Sequence, residues 1–261
     1  MYLQQNLPVK DLKDFLDRKT EEYNSPAFIV TDPISIPHRF SRKEDIEIAG
    51  FLSATLAWGQ RKTIISSSLR LLRLMDDDPW NFIMQAGPSD FERLDTFVHR
   101  TFNGDDCLFF LQSLRAVYQY HGGLEAAFTK GYTENHNIRE AIIYFRKLFF
   151  ATAHLPHSRK HVSDPGKNSS AKRINMYLRW MTRNDRQGVD FGLWKFISPS
   201  DLMCPLDLHS GRVARKLGLL LRKQDDWKAV EELTANLRLL DPLDPVKYDF
   251  ALFGLGVFEN F

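Results

Sequence analysis

Residues 169–219 read SSAKRINMYLRWMTRNDRQGVDFGLWKFISPSDLMCPLDLHSGRVARKLGL. The stretch opens on an amphipathic helix with Lys172 in its first turn, followed at once by Arg173. An irregular connection containing Pro and Ser leads to Asp207, and Asp207 opens a second helix dense in arginine. An amine and a carboxylate, each at a helix start and each surrounded by positive charge, suit chemistry on a polyanion.

Working outward, helical periodicity dominates the chain. Leu12, Phe15, Leu16 and Tyr23 fall on one stripe of a first helix. The segment 30–40, with Pro33 and Pro37, reads as an extended loop or at most a crossing strand. Ser41 and Glu44 have the spacing of a capping box, ahead of a helix with Ile46, Ile48, Ala49, Leu52 and Leu56. That helix is apolar on nearly all sides, which predicts a central position. Another helix follows from Arg61 through Leu69, Leu72 and Met75 and stops at Asp78-Pro79. Shorter helices are expected over 80–85 and 89–94, and a longer one over 105–121 that closes at Gly122-Gly123. Asn137 caps a helix through Ile143 and Leu148, and the polar stretch 152–168 is a loop. Asp225 starts an amphipathic helix, and Asp244 caps the last one with Pro245 at its first position. No hairpin of strands and no internal repeat is recognisable, so the expected class is all-α. The expected organisation is one helical unit over 1–261, with a first lobe near 41–150 and a second over 151–261 that carries Lys172 and Asp207.

The 261 residues are 43% apolar, ample for a buried core, and the net charge is only +2. Two cysteines, Cys107 and Cys204, exclude a disulfide framework and a four-cysteine zinc or iron–sulfur site. The opening MYLQQNLPVK has no apolar segment of signal-peptide type, and no run reaches the roughly 18 apolar residues that span a bilayer. A soluble protein of the reducing cytosol is expected. Charge is uneven along the chain. Between 156 and 183 there are seven Lys/Arg against one acid, and between 208 and 224 five against none. The positive charge thus gathers around the two helix starts, where backbone amides and the helix dipole also favour phosphate.

An amine is a nucleophile only when neutral, and an ordinary solvated lysine is almost wholly protonated at neutral pH. The positive end of its helix and the neighbouring Arg173 both disfavour the ammonium form of Lys172. So placed, Lys172 can attack a sugar C1′ or form a Schiff base with it. The competing reading is a solvent-exposed or phosphate-contacting lysine, which position alone favours. Asp207 divides the same way. It is a good N-cap for the helix it opens. It can also deprotonate an attacking amine or stabilise the cation that develops as an N-glycosidic bond breaks, and the two roles are compatible.

Lys172 in the opening turn of a helix, followed downstream by PLDLHSGRVARKLG, resembles the helix–hairpin–helix DNA glycosylases. The 35-residue spacing from Lys172 to Asp207 is longer than in the eukaryotic 8-oxoguanine enzymes and looks more like the archaeal 8-oxoguanine branch. The strings KRINMYLRWM, VDFGLW, LHSGRVARKLGL and DPVKYDFALFGLG further resemble a bacterial family of uncharacterised proteins assigned to this superfamily, over most of the chain from about Ser41. The resemblance implies two helical lobes with a cleft and a helix–hairpin–helix motif. It implies Lys172 as the Schiff-base lysine, Asp207 as the activating aspartate and His209 as a DNA-backbone contact. It also places a phosphate-binding hairpin over Gly166, Lys167, Asn168, Ser169 and Ser170, with Arg173 and Arg212 as further DNA contacts. Trp58, Gln60, Asp249 and Phe250 fall where residues near an extruded base occur. Two departures stand out. Asn168 and Ser170 replace the hairpin glycines nearest the lysine, and Ser tolerates positive φ poorly. The absence of a cysteine quartet excludes the iron–sulfur branch.

The implied activity is a base-excision glycosylase with AP-lyase activity, acting as a cytoplasmic, nucleoid-associated monomer on double-stranded DNA. Its target is a flipped, damaged, 8-oxoguanine-like purine. No cofactor and no metal is called for. A non-enzymatic helix–hairpin–helix module that binds DNA or RNA is the alternative. His154, His157 and His161 lie in a Pro-rich loop with few acids nearby, which favours a solvated loop over a metal site. Trp180 and Trp194 read as core.

Overall fold

The computed structural model describes residues 8–259 and 261; residues 1–7, which hold most of the stretch read above as lacking a signal segment, lie outside the described residues. The described residues are all-α, without a strand. Two isolated antiparallel bridges, His99 with Phe102 and Ser169 with Asp226, are the β-type pairings recorded among them. The helices are α1 (Val9–Tyr23), α2 (Pro26–Thr31), α3 (Lys43–Leu56), α4 (Arg61–Leu74), α5 (Pro79–Gln85), α6 (Pro88–Glu92) and α7 (Gly104–His121). They continue as α8 (Gly123–Asn135), α9 (Ile138–Phe149), α10 (Lys172–Thr182), α11 (Leu208–Lys216), α12 (Trp227–Leu240) and α13 (Tyr248–Val257). None is long and apolar enough to cross a membrane.

The chain forms two compact units. The middle unit is Ile29–Ser163, and the terminal unit joins Asp164–Phe261 to the N-terminal segment up to Phe28. In the middle unit α3 is buried from Asp45 to Leu56, as its all-round apolar pattern predicts. Phe51 lies among Phe110, Phe145 and Phe149, with ring separations of 5.5–6.0 Å that suit edge and offset contacts. Glu47 on the same helix is buried and accepts the Tyr118 hydroxyl at 2.7 Å, which satisfies a charge in an apolar setting. Local caps fix the boundaries. Asn103 accepts from the Asp106 amide while Asp106 reaches back to the Asn103 amide, and Asn137 accepts from the amides of Arg139 and Glu140.

Several expectations need correction here. The segment 30–40 is neither extended nor a strand. Pro33–Ser35 and Pro37–Arg39 are 3-10 turns that bury Ile34 and Ile36, each proline supplying the fixed φ of a helical first position. The Ser41 capping box does not form: α3 begins at Lys43, with Arg42 at the cap and no side-chain cap bond. Gly122 does end α7, at φ 76°, but the chain turns straight into α8, which the double glycine had masked. The loop 152–168 holds 3-10 turns at Pro156–His161 and Pro165–Lys167. Buried Asp106 anchors the first of these turns, accepting Ser158 Oγ at 2.6 Å and meeting His161 Nε2 at 3.0 Å, with His157 Nε2 at 3.4 Å. His154 Nε2 instead accepts from Arg159 at 2.9 Å. The three histidines therefore serve the packing of their own loop.

In the terminal unit α1 packs on α13, and α13 packs on α11. Trp180 and Trp194 are fully buried, as read from sequence, and Trp194 meets Tyr177 edge-on at 5.5 Å. The segment after α10 folds back on it, with Phe191 N donating to Trp180 O and Trp194 N to Met181 O. Gly256 lets α13 approach the start of α11, since a Cβ there would lie 3.0–3.2 Å from His209. Asp244 does not cap the last helix. Its carboxylate accepts from Arg183 instead, and Pro245–Lys247 is a 3-10 turn entered without a side-chain cap.

Candidate functional site

The turn ahead of Lys172 determines where its amine sits. Asp164 accepts the Gly166 amide at 3.0 Å on its side chain, and its carbonyl takes the amides of Lys167 and Ser169. Asn168 adopts the left-handed conformation at φ 64°, donates its side-chain amide to Asp226, and accepts the Trp227 amide on its carbonyl. The turn is thereby fastened to the first turn of α12. The second left-handed residue is Ala171 at φ 48°, fully buried, and not Ser170. This corrects the expectation that Ser170 would carry the strain: the serine keeps a negative φ, and the cost falls on an alanine, roughly 1–2 kcal/mol. The hairpin amides have also found partners. Those of Gly166, Lys167, Asn168, Ser169 and Ala171 all donate within the turn.

Helix α10 starts immediately after, and its first residue faces Asp207. The Lys172 Nζ lies 3.5 Å from Asp207 Oδ2, with the two side chains 28% and 21% exposed. The other oxygen of the same carboxylate, Oδ1, accepts the His209 and Ser210 amides at 2.8 and 2.9 Å. Cap and partner are thus one group with its two oxygens divided between the roles, and the alternatives read from sequence coexist. Capping also gives Asp207 its aim, because an N-cap side chain bonded to two amides has little rotamer freedom.

Behind this pair lies a ladder of charge that the sequence reading missed. Lys172, Arg179 and Arg183 are spaced seven and four residues apart, on one face of α10 and its C-terminal cap. Arg179, buried, reaches Asp190 at 3.3 Å and pairs with Asp249, also buried. Arg183, buried, reaches Asp190 at 3.1 Å, Asp185 at 2.7 Å and Asp244 at 2.8 Å. Burial opposes the charge on Arg183, yet Asp190, Asp244 and Asp185 raise it on balance. Burial raises Asp244 even against Arg183. It also pushes Asp249 up to about 6, with Arg179 and Lys172 opposing the shift and Asp207 and Asp190 adding to it. The usable signal was the stripe at 172, 179 and 183 facing a return segment rich in aspartate.

The ladder changes the charge tally. Arg179 and Arg183 counted toward the basic cluster but are buried in ion pairs, where they cannot meet a phosphate. Arg215 pairs with Asp225 and Arg222 with Asp226, acids that lie just past the stretch in which they were counted. Of the other expected contacts, His209 and Arg212 are exposed on α11, and Arg212 donates to the Gly256 carbonyl at 3.0 Å. Arg173 is half-buried.

The four base-pocket positions are divided between the units. Asp249 lies within electrostatic range of Lys172 and Asp207. Phe250 is fully buried, with the Arg179 guanidinium 4.3 Å from its ring centroid and Phe28 edge-on at 5.3 Å, so it is core and offers no free face for stacking. In the middle unit Trp58 is 43% exposed, with the Arg100 guanidinium 5.4 Å from its ring centroid. Gln60 is exposed and caps α4 through its backbone alone.

A protein-family model described as "Protein of unknown function (DUF2400)" matches residues 32–258, and the chain belongs to that family. A comparison with curated proteins and one with solved structures each found no match.

Proposed function

We propose that this protein is a DNA base-excision glycosylase with AP-lyase activity, built as a two-lobed helix–hairpin–helix glycosylase and acting through a Schiff base on Lys172. The observation that carries this reading is the Lys172–Asp207 pair. Two half-buried groups, 35 residues apart in sequence and each at a helix start, stand 3.5 Å apart. Asp207 Oδ2 accepts a proton from the Lys172 ammonium, and the freed amine attacks C1′ of a nucleotide extruded from double-stranded DNA. The C1′–N bond breaks, its electron pair leaves with the base, and the departing base takes up a proton. The attached nitrogen gives up one proton, O4′ takes up a proton as the sugar ring opens, and an iminium forms between Lys172 and C1′. Loss of the C2′ proton eliminates the 3′-phosphate, and water hydrolyses the iminium to return the lysine. In the other order, in which the glycosidic bond lengthens before Lys172 is deprotonated, the Asp207 carboxylate is still ionised and stabilises the positive charge that develops on the sugar. A damaged purine resembling 8-oxoguanine is the proposed base. His209, Arg212, Lys167 and the hydroxyls of Ser169 and Ser170 are the proposed backbone contacts, and the proposed setting is a monomer acting at the nucleoid in the cytoplasm.

Borohydride reduces an iminium to a stable amine, so the test is covalent trapping on duplexes carrying 8-oxoguanine, uracil or an abasic site. The expected result is a trapped protein–DNA band on the abasic and 8-oxoguanine duplexes that disappears with Lys172→Gln. If no duplex gives an adduct, or Lys172→Gln traps as well as the unmodified protein, the lyase reading falls. Salt-sensitive duplex binding that survives Lys172→Gln, without base release, would point instead to a non-enzymatic binding module.

A further inference from the structure

Lys172 and Asp207 stand on separate segments, and one short stretch, Arg222-Lys223-Gln224-Asp225-Asp226, takes hold of both segments. Its first arm reaches the helix that Asp207 caps. Arg215 of α11 donates through Nη2 to Asp225 at 2.6 Å and through Nε to the Arg222 carbonyl at 2.8 Å. Asp225 also stands against the first turn of α11, where a Cβ on Gly211 would lie 3.1 Å from its Oδ1. The Gly211 amide in turn donates to the Asp207 carbonyl at 2.8 Å. The second arm reaches the turn ahead of Lys172. Asp226 Oδ2 accepts the Asn168 side-chain amide at 2.9 Å, the Trp227 amide donates to the Asn168 carbonyl, and Ser169 forms a bridge with Asp226. From there the hydrogen bonds run on into α10. Ser169 Oγ accepts the Ala171 amide, and the Ala171 carbonyl takes the amides of Ile174 and Asn175. Asn175, buried, returns its side-chain amide to the Ser170 carbonyl at 3.1 Å. Asp226 itself is fixed: the Arg222 guanidinium grips both its oxygens, and the Ala229 amide donates to Oδ1 at 3.1 Å. Arg222 closes the bracket, with its carbonyl on α11 and its guanidinium on Asp226.

We propose that the stretch 222–226 is a positioning bracket for the Lys172–Asp207 pair. Its Asp225 arm fixes α11, its Asp226 arm fixes the turn before α10, and together they set the distance between amine and carboxylate. The catalytic meaning of this assignment rests on the function proposed above; the geometric claim does not. The turn needs an outside tie, because it contains two left-handed residues, Asn168 and Ala171, and a free chain has cheaper conformations to adopt. Both acids act through the elements they hold, so they are positioning residues and not catalytic ones. Solvent-accessible ion pairs of this kind add little to stability, so their loss is felt in the placement of the pair more than in the fold. A displacement of about 1 Å is enough to cost a reacting pair most of its rate.

A water-soluble carbodiimide reads this separation without DNA. It activates a carboxylate, a neighbouring amine displaces the urea, and an amide joins the two side chains with no spacer. The Lys172–Asp207 crosslink is measured in full-length protein by peptide mass spectrometry and assigned by its loss in Lys172→Gln. Lys247 and Asp241, 2.8 Å apart in the same unit, give the reference crosslink. Asp225→Asn and Asp226→Asn should each lower the Lys172–Asp207 yield, relative to that reference, about threefold or more. Asn168→Asp combined with Asp226→Asn exchanges donor and acceptor across the 2.9 Å contact and should restore at least about half of the yield. A relative yield that either single substitution leaves unmoved overturns the bracket, as does a double variant no better than Asp226→Asn alone. A fall shared by the reference crosslink marks general loosening and overturns it too. If the unmodified protein gives no Lys172–Asp207 crosslink, the bracket falls together with the pair. The second readout is borohydride trapping on an abasic duplex. The same variants should lower the maximal rate in the order of their crosslink yields, with the half-saturating DNA concentration within about twofold of the unmodified value. A maximal rate that holds while the crosslink falls removes the positioning role. Crosslink yields in the expected order, without trapping by the unmodified protein, remove the lyase reading and leave the bracket in place.

Discussion

Asp207 holds α11 with one oxygen and faces Lys172 with the other, which allows the two functions to be separated by substitution. In Asp207→Asn the amide oxygen still accepts the His209 and Ser210 amides, because Asn is as good an N-cap as Asp. Only the charge is lost. At 3.5 Å the gross attraction to Lys172 is about 5 kcal/mol for an effective dielectric of 20 and about 1 kcal/mol in water. With both side chains a quarter exposed, screening brings the net value below about 1 kcal/mol. Asp207→Ala removes the cap as well, about 1–2 kcal/mol more, at the upper end because one of the two amides left without an acceptor is that of buried Ser210. The expected losses are therefore below about 1 kcal/mol for Asn and about 1–3 kcal/mol for Ala, a difference of about 2–8 °C in Tm for a chain of this length. In the trapping assay the order changes: both variants should be slowed about 100-fold or more, because both lack the proton acceptor. Thermal unfolding and trapping on an abasic duplex read the two effects separately. An Asn variant as unstable as the Ala variant would show that charge, and not cap geometry, holds α11. An Asn variant that traps at the unmodified rate would take Asp207 out of the chemistry.

Other consequences follow from the same geometry. Ala171→Val places a β-branched residue at φ 48° in a fully buried position and should cost at least about 2 kcal/mol in urea denaturation. Gly256→Ala sets a methyl 3.0 Å from the Cβ of His209 and should cost about 1–3 kcal/mol, with weaker trapping because Asp207 moves with the start of α11. Asp249, raised in the folded state above its usual 3.8, binds a proton on folding, so the stability it contributes in acid is lost as pH rises from about 4 to about 6. Relative to the unmodified protein, the Tm of Asp249→Asn should therefore improve over that interval. Asp106 runs the other way. Burial would raise it, but His161, Ser158 and the Asn103 amide hold it below its usual value, so its contribution is present above about pH 4 and lost below. Hydrogen exchange in 156–161 should accelerate below about pH 4, and Asp106→Asn should reproduce that at neutral pH.

The all-α class, the buried α3 and the helix starts capped by Asn137 and Asp207 were legible along the chain, whereas the helix placed at Asp225 is capped by Asp226 and Asp225 pairs with Arg215. Apolar periodicity and short-range caps are local properties, and a cap side chain bonds amides two or three residues away. Legibility ended wherever a side chain had a better partner far off in sequence. Asp244 has the sequence of an N-cap and serves Arg183, 61 positions earlier. Ser170 looked like the strained residue, yet the left-handed step fell on Ala171, because Asn168 was already turned and fastened to Asp226 and Trp227. The basic cluster was partly a property of where the counting stopped, since Asp225, Asp226 and Asp249 answer several of its cations. For Lys172 and Asp207, residue type and helix-start position came from the residues themselves, and the resemblance joined them as a candidate pair. Their 3.5 Å approach, the division of labour between the two carboxylate oxygens and the acid ladder behind the lysine came from folding. The reason is range: backbone preferences act within a turn of helix, whereas charges choose partners through space, and only the packed chain specifies which charges meet.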